Sequence, residues 1–180
     1  MIEKPILRGA GMTLRPLGVE HAAALFAGFE DPESKRLTGT SQEFTLEQCE
    51  AFYRRIPDDG SRVDYGIFED TKPAHLCGEV VINEIDWDAQ TGHFRVAISN
   101  PEDRNRGLGS RAIRILFAHA FQVLGLKRID LEVYAFNPRG IHVYESLGFV
   151  RTGLQKAELE WDGETTDLIE MQLTAAAFTS

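Results

Sequence analysis

One stretch limits what this chain can become more than any other. Arg104-Asn-Arg-Gly-Leu-Gly-Ser110 carries two arginines and two glycines and runs directly into a helical pattern from Leu108 to Leu124. Ile113, Leu116, Phe117, Ala120, Phe121 and Leu124 recur at spacings of three and four, so this helix has an apolar stripe to bury. Gly125 stands where a left-handed C-terminal cap belongs. The segments before the loop read as strands instead: Val63 to Phe68, the long β-rich run His75 to Asp86, and Phe94 to Ile98, with Thr71-Lys-Pro73 as a turn. A glycine-rich loop between a meander and an amphipathic helix calls for a sheet with helices packed on it.

The remaining segments agree. Met12 to Pro16 alternates as a short strand, and Val19 to Phe29 places Leu25, Phe26 and Phe29 at helical spacing. The charged stretch from Phe29 to Gly39, broken by Pro32, reads as a loop or a short helix break. Thr45, with Gln48 three residues on, forms a capping box opening a helix through Cys49, Phe52, Tyr53 and Ile56. Ile129 to Tyr134 is a strand, and Asn137-Pro138 supplies an N-cap and a first-turn proline for a helix that Gly148 stops. Phe149 to Glu160 and Thr165 to Leu173 form a hairpin about Asp162-Gly163. The expected class is α/β (α+β): a mixed, mostly antiparallel central sheet with helices on both faces. No repeat or linker divides the chain, and 180 residues fit one domain across 1–180.

Charge and cysteine usage narrow the chemistry. The chain has 19 Lys+Arg against 28 Asp+Glu, a formal net charge of −9, which disfavours nucleic acid as a partner because polyanion binding needs a basic face. An acidic surface suits a cationic partner or simply solubility. No stretch approaches a membrane span, and the start, MIEKPILRGAGM, lacks a signal-peptide run, so a cytoplasmic location and no membrane partner are expected. Cys49 and Cys77 have no metal-ligand spacing and read as buried thiols; no metal is expected.

Against that acidic background, Arg104 to Ser110 is a local basic island. A helix N-terminus exposes unpaired N–H groups with partial positive charge. Gly107 and Gly109 let the backbone approach an anion closely, while Arg104 and Arg106 add mobile cations, an arrangement suited to a pyrophosphate. The segment also spells G-x-G-x-x-A through Ala112, but a dinucleotide fingerprint needs the turn directly after its strand, and Pro101 to Arg106 intervenes. An NAD-type oxidoreductase is therefore a distant reading.

Arg104-x-x-Gly107-x-Gly109 resembles the acetyl-CoA pyrophosphate motif, R/Q-x-x-G-x-G/A, of the GNAT family of N-acetyltransferases. Pro101-Glu-Asp precedes it as Pro-Glu-Tyr often does there. LEVYAFNPRGIHVYESLGF, Leu131 to Phe149, resembles the family's second cofactor segment, and the terminal hairpin completes its strand count. The resemblance covers nearly the whole chain and lies toward the ribosomal-protein N-terminal and spermidine acetyltransferase branch. It implies the acyl-CoA N-acyltransferase fold and transfer of acetyl from acetyl-CoA to a primary amine, whether a protein N-terminus, a polyamine or another small amine.

Carried over residue by residue, the backbone of Val96, Ala97 and Ile98 would pair with pantetheine in a gap between two splayed strands. Arg104, Asn105, Arg106, Gly107, Leu108, Gly109 and Ser110 would hold the pyrophosphate. Asn137 would hydrogen-bond near pantetheine, and Arg139 would reach the nucleotide phosphates. Tyr144 matches the family tyrosine beside the thioester sulfur, where a phenol can protonate the departing thiolate. The base is open: Glu132 in Leu-Glu-Val, where some members carry one, competes with Glu79, Glu84, His93 and a water chain. The family's acceptor site, lined by the first two helices, their loop and the terminal hairpin, would here present Glu30, Asp31, Glu33, Glu158, Glu160, Asp162 and Glu164, with Trp87 and Trp161 as walls. The resemblance also allows a homodimer. The alternative of another class is a non-catalytic acyl-CoA-binding module, which would have no use for a leaving-group acid.

Overall fold

Eight strands form one sheet in the computed structural model of the protein, which describes residues 2–179. The strands are β1 (Leu7–Gly9), β2 (Met12–Pro16), β3 (Val63–Glu69), β4 (Leu76–Asp86), β5 (Thr91–Ile98), β6 (Arg128–Tyr134), β7 (Val150–Trp161) and β8 (Glu164–Thr174). Their order is β1-β2-β3-β4-β5-β6-β8-β7, and every neighbouring pair is antiparallel except β5 and β6. Tight turns close the terminal hairpins: Ala10 and Gly11 at φ 49° and 71°, Asp162 and Gly163 at φ 51° and 80°. Such left-handed pairs match the twist of the strands they join.

Helices α1 (Ala22–Phe29), α2 (Pro32–Thr38), α3 (Leu46–Arg55), α4 (Leu108–Gln122) and α5 (Pro138–Ser146) cover the sheet. Strand β3 shows the division of faces. Val63, Tyr65 and Ile67 join the cluster containing Leu108, Ile113, Leu116 and Phe117 of α4 and Ile141 of α5. Phe68 instead joins Ala22 and Leu25 of α1 and Tyr53 of α3. Helices thus lie on both faces, as the alternating strands require.

Two elements escaped the sequence reading. β1 is only three residues long, too short for a period to show. α2 lies where a loop or break was expected. It has only Leu37 as a large apolar residue and so no stripe; its ends make it a helix. Asp31 is the N-cap and accepts from the Ser34 N–H at 2.8 Å, Pro32 takes the first turn, and Gly39 ends it at φ 63°. The expected helix from Val19 begins instead as a 3-10 turn, Val19–His21, ahead of α1. The expected capping box at Thr45 is present, with Gln48 reaching back at 2.8 Å.

The parallel contact positions everything that follows. β5 and β6 pair only at Thr91↔Arg128, Gly92↔Ile129 and His93↔Asp130. Beyond that point β5 stays with β4, up to Gly78↔Ile98, and β6 stays with β8, up to Tyr134↔Leu168. The two strands splay, and their facing backbone edges lack ladder partners. Among the described residues, no helix is long and apolar enough to cross a membrane.

Candidate active site

The splay opens into a cavity of about 590 Å³, bounded by β5, the β5–α4 loop, the start of α5 and α2. That volume lies within the usual range for small-molecule sites. The loop is shaped by backbone. Gly107 is the N-cap of α4 at φ 72°, a left-handed conformation that disfavours side chains, and a Cβ built there would meet nothing within 4 Å. At Gly109 a Cβ would meet only Val96 Cγ2, at 3.9 Å. The first turn of α4 therefore faces open space, with N–H groups that have no intrahelical partner. Asn105 is also left-handed, at φ 63°.

Twelve of the fourteen residues expected to be catalytic or to bind the cofactor line this cavity: Val96, Ala97, Ile98, Arg104, Asn105, Gly107, Leu108, Gly109, Ser110, Asn137, Arg139 and Tyr144. Arg106 and Glu132 do not. The reading of Arg104 and Arg106 as mobile cations needs correction. Arg106 is paired with Glu69 at 2.7 Å and Asp103 at 2.9 Å. Arg104 lines the cavity, but its side chain is only 11% exposed and is gripped by Asp31 at 2.5 Å and by Glu33. Burial alone would raise the Asp31 carboxyl, yet the hydrogen bonds from Arg104 and Ser34 hold it below the ordinary carboxylate range.

Asn137 caps α5, its Oδ1 accepting from the Gly140 N–H at 2.9 Å, which leaves the amide nitrogen as the group a ligand would meet. Tyr144, two residues before the end of α5, packs edge-on against Phe94 and Phe149. Burial pushes its phenol up to about 12, so it carries its proton throughout the neutral range.

The candidate bases are scattered. Glu132 and His93 line a separate groove of about 260 Å³, together with Asp130 and Glu170. Leu131 and Val133 are buried toward α4 and α5, so Glu132 faces the opposite side of the sheet, where it sits across from Glu170. Glu84 is exposed at an irregularity in β4, at φ 52°, and lines neither space. Glu79 is half-buried and accepts from Tyr53 Oη at 2.8 Å; it neighbours Ala97 across the β4–β5 ladder. Burial raises its carboxyl above the ordinary range despite the tyrosine hydrogen bond.

The acceptor side also departs from expectation. Asp31 and Glu33 share the single guanidinium of Arg104, which leaves the trio one net negative charge, and Glu30 lies 3.5 Å from Lys35. Glu158, Glu160, Asp162 and Glu164 are at the exposed tip of the β7–β8 hairpin. Trp87 donates to the Gly60 carbonyl at 2.9 Å, and neither it nor Trp161 lines either space. The loop expected on the acceptor side does wall the cavity, but as the helix α2, which contributes Ser34, Arg36, Leu37 and Thr38 besides the expected Glu33, with Phe136 beside it. Its signal was the cap pair Asp31 and Gly39 rather than any apolar period.

Cys49 and Cys77 are buried and free. His75, Cys77 and Asp103 gather ligand atoms within 4.8 Å of one another. Asp103 is already held by His75 at 2.7 Å, Asn100 at 3.2 Å and Arg106 at 2.9 Å, so the cluster braces the 3-10 turn Pro101–Asp103 ahead of the loop.

Comparison with known proteins places this geometry. Residues 12–150 match the family model described as Acetyltransferase (GNAT) domain. The chain is 30% identical over 129 residues to the spermidine N(1)-acetyltransferase of Escherichia coli strain K12, covering 72% of this chain and 67% of that protein. It is 22% identical over 191 residues to the human alpha/beta-tubulin-N-acetyltransferase 9, covering 93% and 92%. The crystal structure of spermidine N-acetyltransferase from Vibrio cholerae in complex with CoA and spermine superposes with a TM-score of 0.86 at 22% identity, covering 94% of this chain and 98% of that one.

Proposed function

This chain belongs to the GNAT acetyltransferase family, and we propose that it moves an acetyl group from acetyl-CoA to a primary amine at the β5–β6 splay. The observation that carries the reading is the continuity of the cavity: it runs from the open glycine cradle at the mouth of α4 to Tyr144 at the foot of the splay. A cradle of backbone N–H groups suits the diphosphate, and unpaired strand edges suit the amides of pantetheine.

In the proposed chemistry the amine nitrogen attacks the thioester carbon, a C–N bond forms, the C–S bond breaks, and CoA leaves as the thiol. Two protons must move. Tyr144 supplies one to the sulfur: its phenol is protonated at neutral pH and borders the cavity. The other leaves the amine. Glu79 shares the sheet face of Ala97 beside the cavity, and burial raises its carboxyl above the ordinary range. That favours Glu79, through water, over the sequence expectation of Glu132. Val96, Ala97, Ile98, Gly107, Leu108, Gly109, Ser110, Asn105, Asn137 and Arg139 make up the cofactor wall in this reading.

The acceptor proposed is a polyamine. The support is that the E. coli relative is a spermidine N(1)-acetyltransferase, together with Glu132 and Glu170 near the foot of the splay, which suit ammonium groups; Asp130 in the same groove is already paired with Arg128 at 3.0 Å. A protein N-terminus is the second reading, favoured by the near full-length match to the human tubulin acetyltransferase. One domain across residues 1–180, a cytoplasmic location and a homodimer through the exposed edge strand β7, where Val150 and Leu154 are uncovered, belong to the same proposal.

The test is thiol release from acetyl-CoA with a panel of spermidine, spermine, aminoglycosides and peptides with free N-termini. Release with a polyamine supports the reading. Tight CoA binding without thiol release for any amine would instead indicate the non-catalytic acyl-CoA-binding module.

A further inference from the structure

Arg104 occupies the first position of the loop that faces the cavity, yet its guanidinium is turned to the opposite wall. Nε donates to the Ile98 carbonyl at 3.4 Å, Nη1 to Glu33, and Nη2 to Asp31 at 2.5 Å and to Ser34 Oγ at 3.1 Å. These contacts engage all three nitrogens of a side chain that is 11% exposed. Ile98 ends β5, and Asp31, Glu33 and Ser34 form the start of α2.

The other end of α2 is held on β6. A Cβ at Gly39 would lie 2.6 Å from Tyr134 Oη, so that ring packs directly on the end of the helix. Arg36 lies over the Phe136 ring at 4.7 Å, and Phe136 in turn stacks with Tyr134. Tyr134 is the last residue of β6. α2 therefore crosses from the end of one splayed strand to the end of the other, and its side chains line the cavity between them.

We propose that Arg104 is a positioning residue that moors α2 across the mouth of the splay, setting the access and placement of the amine, rather than a side-chain ligand of the cofactor diphosphate. The proposal rests on the acetyl-CoA reading above for what enters the cavity. The diphosphate is left to the backbone of the glycine cradle. The carboxylates of Asp31 and Glu33 are bound as counter-charges of Arg104, which leaves the trio one net negative charge.

Three variants test this: Arg104→Ala, the pair Asp31→Asn with Glu33→Gln, and all three changes together. Asparagine remains a good N-cap, so the double variant keeps the start of α2 while removing its charge. The amine KM should rise about tenfold in each, with the triple variant no worse than either, because one interaction is being removed. CoA affinity by calorimetry should change by less than about twofold, within the few tenths of a kcal/mol left by unrelated changes. The preference for acetyl-CoA over S-acetylpantetheine, which lacks the diphosphate, should be unchanged in Arg104→Ala. Hydrogen exchange at residues 32–38 should accelerate in all three.

Loss of the acetyl-CoA preference in Arg104→Ala, with the double variant unaffected, would overturn the proposal and return Arg104 to the diphosphate. Unaltered exchange at residues 32–38 would overturn it independently of any ligand. If the unsubstituted protein neither binds CoA nor releases thiol, it is the acetyl-transfer reading that fails; the exchange result still decides whether Arg104 moors α2.

Discussion

The two walls of the cavity are built by different means. The wall formed by β5, the loop and α4 is made of backbone: a left-handed Gly107, an open Gly109 and the first turn of a fifteen-residue helix buried along one stripe. The α2 wall is made of side chains: a seven-residue helix with no buried residue, fastened by ion pairs at one end and by aromatic packing at the other. Backbone geometry tolerates no conservative substitution at the glycine, whereas a side-chain clasp can loosen by degrees. Anchoring an invariant diphosphate suits the first kind of wall; fitting one amine among many suits the second.

The variant expected to act most strongly stands where the walls meet. Tyr144→Phe removes the proton donor but keeps the ring between Phe94 and Phe149. Turnover should fall about 10²-fold or more with CoA affinity nearly unchanged, as for loss of a general acid. Steady-state kinetics paired with calorimetry reads the split. Equal turnover would take Tyr144 out of the chemistry.

Gly107→Val is the next largest. A β-branched side chain is strained at φ 72° and projects into the open cradle. Acetyl-CoA KM should rise about thirtyfold, roughly 2 kcal/mol, while the amine KM moves little. On the other wall, Gly39→Val strains φ 63° and meets the Tyr134 ring. It should raise the amine KM about tenfold, roughly 1.4 kcal/mol, and leave CoA affinity nearly unchanged. If the two substitutions gave the same pattern, the division of labour between the walls would be wrong.

The smallest effect is a core control near the far end of α4, away from the cavity. His119 on α4 is 7% exposed, and its Nε2 is buried without a hydrogen-bond partner. Burial lowers its affinity for a proton in the folded state, while the unfolded chain takes one up below about pH 6.5. The unfolded state thus binds more protons, so stability is retained above that pH and lost as pH falls from there through the folded-state value. Thermal melts between about pH 7 and 5 should show a falling melting temperature that flattens in His119→Leu. An equal slope in the variant would assign the acid sensitivity to other groups.

The same contrast explains what could be read from the sequence. Gly107, Gly109, Asn137-Pro138 and Thr45 with Gln48 act within a few residues of themselves, and the structure puts a cradle, an N-cap and a capping box at those places. The apolar stripe of α4 needed only its own period. α2 lacked a stripe, so a charge-rich run hid a helix that Asp31 and Gly39 delimit. The side-chain partners of Arg104 lie 70 to 73 residues away, a pairing that no local pattern encodes. Likewise, strand alternation places Glu132 away from the buried face, but only the sheet order shows that it looks across at Glu170 and that Glu79 neighbours Ala97.

The central claim is that the splay holds acetyl-CoA and delivers its acetyl group to an amine with the help of Tyr144. Thiol release from acetyl-CoA with spermidine, compared between the unsubstituted protein and Tyr144→Phe at matched CoA occupancy, tests it most directly. The account predicts release that requires the amine and falls about 10²-fold or more in the variant. Release that is indifferent to the amine, or equal in both proteins, would contradict it.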